Sequence, residues 1–157
     1  MWRVELLHPA TVHFPIALLL VGTALELLSA LFRPERRAFC RAMSLVLLVT
    51  GSVAAWLAVW SGGEAEAIVN RVICDPTVTH EHEFWSLLTS YAFSAVALLA
   101  LIRRYALPGA LISLAIAVLA LGGSGALVWT GHLGASLVYQ QGAAVYHPSP
   151  TCQEFAE

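Results

Sequence analysis

Six histidines are the residues of this chain best equipped for chemistry. They stand at positions 8, 13, 80, 82, 132 and 147. Neutral imidazole is the commonest metal ligand and serves haem iron, copper and zinc alike. Beside them are Cys40, Cys74 and Cys152, and one carboxylate, Glu26, set inside an apolar run. No Ser/His/Asp set, phosphate-binding glycine loop or HExxH motif accompanies them, so hydrolytic and phosphoryl-transfer chemistry have little support.

The surrounding sequence is apolar. Of 157 residues, 59% are hydrophobic and 11% charged, against about 25% charged in an ordinary soluble domain. That excludes a soluble globular fold as the default, and it excludes disorder, which needs low hydrophobicity and high charge. The basic residues are all Arg, and the net charge of −2 leaves no basic footprint for nucleic acid. The length is that of one domain.

Four continuously apolar stretches, 13–32, 42–60, 84–102 and 108–130, meet the requirement of roughly 20 helical residues for crossing a bilayer. They lack the alternation of barrel strands, so the expected fold is all-α, an integral membrane four-helix bundle. Pro15 and Pro108 fall in first helical turns, where a missing N–H costs little. The first stretch is too long for a signal peptide, carries Glu26 and has no clean cleavage site, so it is expected to be retained.

Six of the eight Arg (33, 36, 37, 41, 103 and 104) fall in the two short connections. The positive-inside rule places those connections in the cytoplasm. Both termini, the acidic segment 61–83 and the tail 131–157 are then expected on the outer, periplasmic side of a bacterial inner membrane. All six histidines fall on that same side, although they were not used to orient the helices.

Two imidazoles at one depth on different helices can clamp a planar haem, with nitrogens about 4 Å apart and roughly 2 Å each from iron. His13, aimed by Pro15, pairs most naturally with His82, since the first and third helices both enter from outside. His8 with His132 would make a second pair. His80 is the alternative ligand, and His147 reads as a surface residue. Gly122, Gly123, Gly125, Gly131 and Gly134 permit close approach of a backbone or a flat macrocycle, and small-residue helix packing explains them equally well. Most of the tryptophans read as interfacial belt residues. Cys74 and Cys152 both lie outside, where a disulfide is expected; thiolate ligation of a metal is the alternative. Cys40 reads as an inert apolar residue. No CxxCH occurs, which excludes covalent haem attachment. Glu26 either pairs with an Arg of the inner loops or stays protonated, and a proton-relay role is open to it.

The opening Leu7-His8-Pro9-Ala10-Thr11-Val12-His13-Phe14-Pro15-Ile16-Ala17-Leu18 resembles the HPxxVHFPIAL start of a family of small bacterial membrane proteins, the domain of unknown function 2231. Thr130-Gly131-His132-Leu133-Gly134-Ala135-Ser136-Leu137-Val138-Tyr139-Gln140-Gln141-Gly142 resembles its closing GxxGGxLVYxxG, with Ala135 in place of the second glycine of the pair. The resemblance implies a four-helix membrane domain. Its association with cytochrome and iron–sulfur domains suggests electron transport but supplies no settled activity. His8, His13 and His132 match motif positions, and His82 matches more loosely.

The leading expectation is a membrane electron-transfer protein or subunit with one or two b-type haems near the outer face, rather than a stand-alone enzyme. A quinol or another membrane donor, a larger oxidoreductase complex or an outer cytochrome, and lipid are the expected partners. Two other readings stand beside it. One is a cofactor-free accessory subunit. The other is a copper or zinc protein drawing on His80-Glu81-His82-Glu83. A chlorophyll-type macrocycle would also accept histidine.

Overall fold

The computed structural model describes residues 3–145, and His147 and Cys152 lie outside that range. Within it the chain is helical. A 3-10 turn, Val4–Leu6, leads into α1 (Leu7–Thr11), α2 (His13–Ser29), α3 (Pro34–Val69), α4 (Thr77–Tyr105) and α5 (Ala110–Tyr139). Four segments are long and apolar enough to cross a membrane: Val4–Ser29, α3, α4 and α5.

Local sequence explains the punctuation. Pro15 has no N–H to give the carbonyl of Thr11, and α1 separates from α2 at Val12. The path stays nearly helical there, with Val12 N–H on the His8 carbonyl at 3.1 Å and Ile16 N–H on the Val12 carbonyl at 3.3 Å. Pro34 occupies the first turn of α3 behind an extended Arg33. Before α4, the Asp75 carboxylate accepts from the Thr77 hydroxyl at 2.7 Å and the Thr77 N–H at 3.0 Å. Those two bonds hold the Asp75 carboxyl below its ordinary pKa. After α5, Gly142 takes φ 69, and the Ala143 N–H closes on the Leu137 carbonyl at 2.9 Å.

The helices run past the apolar stretches that reveal them. The expected loop 61–83 is helical at both ends and reduces to residues 70–76, and α5 continues through 131–139. Hydropathy marks where a helix is greasy rather than where it ends; Glu64-Ala65-Glu66-Ala67 is polar but favours helix. At 36 residues, α3 is about 54 Å long, well over the roughly 30 Å hydrocarbon thickness, so its ends stand in the polar zones.

α2 and α3 form one close hairpin and α4 and α5 another. Thinner α3–α4 and α2–α5 contacts close the ring, which leaves α2 and α4 on a diagonal. The core contains Leu19, Leu48, Phe93, Val96, Ile116 and Ala120, all essentially fully buried. Two notches lock the first hairpin. A Cβ on Gly22 would meet Leu48 at 3.1 Å, and one on Gly51 would meet Leu19 at 2.8 Å. Ser44 adds a hydrogen bond to the Gly22 carbonyl at 2.8 Å. Leu111, Val53, Leu57 and Val118 face outward and are mostly exposed, as expected of helices whose outer solvent is lipid.

At the arginine-rich end, the diagonal carries a buried ion pair. Arg103 donates to both oxygens of Glu26, at 2.5 and 2.8 Å. The two residues are 8% and 5% exposed. Arg41 lies beside them, within 3.4 Å of Ser29 and Ser113 hydroxyls. The Ser29 hydroxyl in turn donates to the Glu26 carbonyl at 2.6 Å. Of the two roles open to Glu26 from sequence, the structure provides the arginine partner.

Candidate functional site

At the opposite end, the same diagonal carries two histidines. His8 on α1 and His82 on α4 face each other with ring centroids 5.9 Å apart and planes 84° apart. Both are half-buried. Each is aimed by a partner helix in its own hairpin. His8 Nδ1 lies 2.9 Å from the Ala58 carbonyl on α3, and His82 Nδ1 lies 3.0 Å from the Thr130 carbonyl on α5.

A carbonyl oxygen only accepts, so each Nδ1 must carry the proton. In the neutral ring, Nε2 then holds a free lone pair. Among the described residues neither Nε2 has a hydrogen-bond partner. This is the state in which histidine binds a metal: one ring nitrogen donates to a backbone carbonyl, which fixes tautomer and orientation, while the other coordinates.

The two arrangements repeat each other. Four residues after Ala58 comes Gly62, and four after Thr130 comes Gly134, so each glycine lies one helical turn beyond the accepting carbonyl. A Cβ at Gly62 would stand 3.1 Å from His8 Cε1, and a Cβ at Gly134 would stand 3.2 Å from His82 Cε1. Glycine thus lets each ring lie against a helix backbone and reach a carbonyl that an ordinary side chain would screen. Hydroxyls support both halves. Thr11 bonds the His8 carbonyl at 3.0 Å, and Ser86 bonds the His82 carbonyl at 2.7 Å.

The notches can be tested without any ligand. Gly134→Val should displace the His82 ring and destabilise the protein by about 1–3 kcal/mol, the usual cost of overpacking. Nitrogen NMR of the imidazoles should show the Nδ1–H tautomer for His82 in the parent protein and lose that signature in the variant. Unchanged ring-nitrogen shifts would defeat the notch.

The other sequence-derived residues are dispersed. His13 is exposed, and the ring standing next to His82 is that of His8. His132 is also exposed and stacks on Trp129 at 5.2 Å, with Trp85 beyond at 6.5 Å from Trp129. His80 is exposed and points to Glu66, with Nδ1 3.9 Å from its carboxylate. Cys74 is exposed, and the pairing expected with Cys152 falls on a residue outside the described range. Ala58, Gly62 and Thr130 belong to the site although the sequence reading did not single out their roles. The usable signal was a glycine at the end of each hairpin's second helix, facing a histidine at the start of its first.

An all-helical bundle with four membrane-length apolar helices and an apolar outer surface is the architecture of a multi-pass helical membrane protein. The chain belongs to the family described as "Predicted membrane protein (DUF2231)", whose family model matches residues 5–147. No curated protein and no solved structure matches it.

Proposed function

We propose that this protein is a membrane electron-transfer protein, or a subunit of one, that holds a b-type haem between His8 and His82. The observation that carries the reading is the doubled one: two facing imidazoles on diagonal helices, each tied through Nδ1 to a backbone carbonyl and each seated over a glycine. Metal–nitrogen bonds of about 2 Å on either side would put two ring centroids about 6 Å apart, and the rings stand 5.9 Å apart. The pair has the spacing and the donor chemistry to hold a haem, which supports the reading.

When bound, haem would supply one-electron redox chemistry. The chain's part is positional and dielectric. The Ala58 and Thr130 carbonyls hold the imidazoles in the ligating tautomer and raise their basicity. The apolar bundle below restricts water, which tunes the potential. In this reading His8 takes the place that sequence alone assigned to His13. A second haem between His8 and His132 loses support, because His8 is already engaged with His82. A quinol or other membrane donor, an outer cytochrome or a larger oxidoreductase complex, and a bacterial inner-membrane location with the histidine end outside, all belong to the same proposal.

Copper is the second reading. The same centroid separation suits a two-coordinate copper(I) ion bound by the two Nε2 atoms. Absorption spectra of the detergent-purified protein, from cells supplied with haem, separate the two. Sharp bands on reduction, with one haem per chain, are the expected result. A colourless protein with stoichiometric copper would replace haem by copper. A colourless, metal-free protein would sink both and leave the cofactor-free accessory subunit.

A further inference from the structure

Just beyond the histidine pair, three other side chains converge from two helices. Glu66 near the end of α3 and His80 and Glu83 in the first turns of α4 each offer a ligand atom, and these atoms all lie within 4.8 Å of one another. His80 and Glu83 are three residues apart and share a helix face, whereas His82 is turned away from that face and toward α5. Glu66 is held in place from behind. Asn70 Nδ2 donates to its Oε1 at 3.0 Å, and the Thr79 hydroxyl shares its one proton between Asn70 Oδ1 at 2.7 Å and the Pro76 carbonyl at 2.6 Å. Thr79 is buried.

We propose that Glu66, His80 and Glu83 form a divalent-metal site of the zinc class that staples α3 to α4 at the histidine end. The ligand chemistry selects the class. Imidazole disfavours calcium and magnesium, which take oxygen ligands, whereas one nitrogen and two carboxylates suit zinc and its first-row neighbours. Zinc ligands stand roughly 2 Å from the ion, so binding requires the three groups to draw in slightly. His80 and Glu83 are exposed and free to do so. Three protein ligands leave a fourth position for water. Asn70 and Thr79 fill the supporting role that outer hydrogen bonds play around metal ligands. The 3.0 Å bond from Asn70, together with its partial burial, makes Glu66 the more stationary ligand. The site is distinct from the His8–His82 pair and stands whether or not that pair binds haem.

The test uses the full chain in detergent, stripped with chelator and titrated with zinc chloride by calorimetry, with melting followed in parallel. One zinc ion per chain and a higher melting temperature are expected. His80→Ala, Glu66→Gln and Glu83→Gln should each weaken binding at least tenfold and abolish the thermal shift. Glu81→Gln should bind zinc as the parent does. Circular dichroism checks that each variant keeps its helices, and Asn70→Ala offers a milder loss should a ligand variant fail to fold. Absence of zinc binding, affinity unchanged in His80→Ala, or equal affinity for calcium would each overturn the site.

Discussion

Under the proposed haem ligation, His8→Ala and His82→Ala are each expected to abolish a b-type spectrum, whereas His13→Ala and His132→Ala keep it. The geometry makes this an all-or-none contrast. His8 and His82 are half-buried, face each other and have Nδ1 committed to a carbonyl. His13 and His132 are exposed. An alanine at either position would remove one of the two imidazoles proposed to hold the haem. His82→Gly offers a control that separates ligation from packing. Free imidazole should enter the vacated space and restore the spectrum, whereas a merely structural histidine would not be rescued. Loss of the bands in His13→Ala with retention in His8→Ala would return His13 to the site and defeat the pairing drawn here.

The contrast between His8 and His13 also shows what a sequence can carry. Four membrane-length helices are legible because lipid demands continuous apolar runs, and 84–102 needs no tertiary context to be read as one. That His8, His13, His80, His82 and His132 gather at one end follows from helix direction alone. Which two meet does not follow, because it depends on rotation about the helix axis and on the break at Val12. The resemblance to a membrane family pointed to both His8 and His13 and did not rank them. The roles of Gly62 and Gly134 were hidden for a related reason. A glycine in an apolar helix has many explanations, and only the ring lying 3.1–3.2 Å from an added Cβ picks one. Helix ends were underestimated where polar but helix-favouring residues, as at Glu64-Ala65-Glu66-Ala67, extend α3 beyond the membrane.

At the other end of the diagonal, Glu26→Leu and Arg103→Leu are each expected to destabilise the bundle by about 3–5 kcal/mol, and the double variant should recover most of that loss. Breaking a buried pair leaves an uncompensated charge, whereas replacing both partners with apolar residues removes the desolvation cost along with the attraction. The pair is bidentate and over nine-tenths buried, so each single change exposes the survivor to a medium that cannot solvate it. Arg103→Lys should fall between, because an ammonium cannot engage both oxygens in a fork. Unfolding in mixed micelles, monitored by helicity, measures all four variants as one thermodynamic cycle. The same cycle separates the two roles for Glu26. If the carboxylate serves only to join α2 to α4, the double variant regains stability and keeps the spectrum of the histidine end. If Glu26 relays protons, the double variant folds but loses the proton movement that vesicles reconstituted with the parent protein show, and restoring stability will not restore it. The bidentate contact favours the first outcome, since both carboxylate oxygens are already engaged by one guanidinium fork that ties α2 to α4.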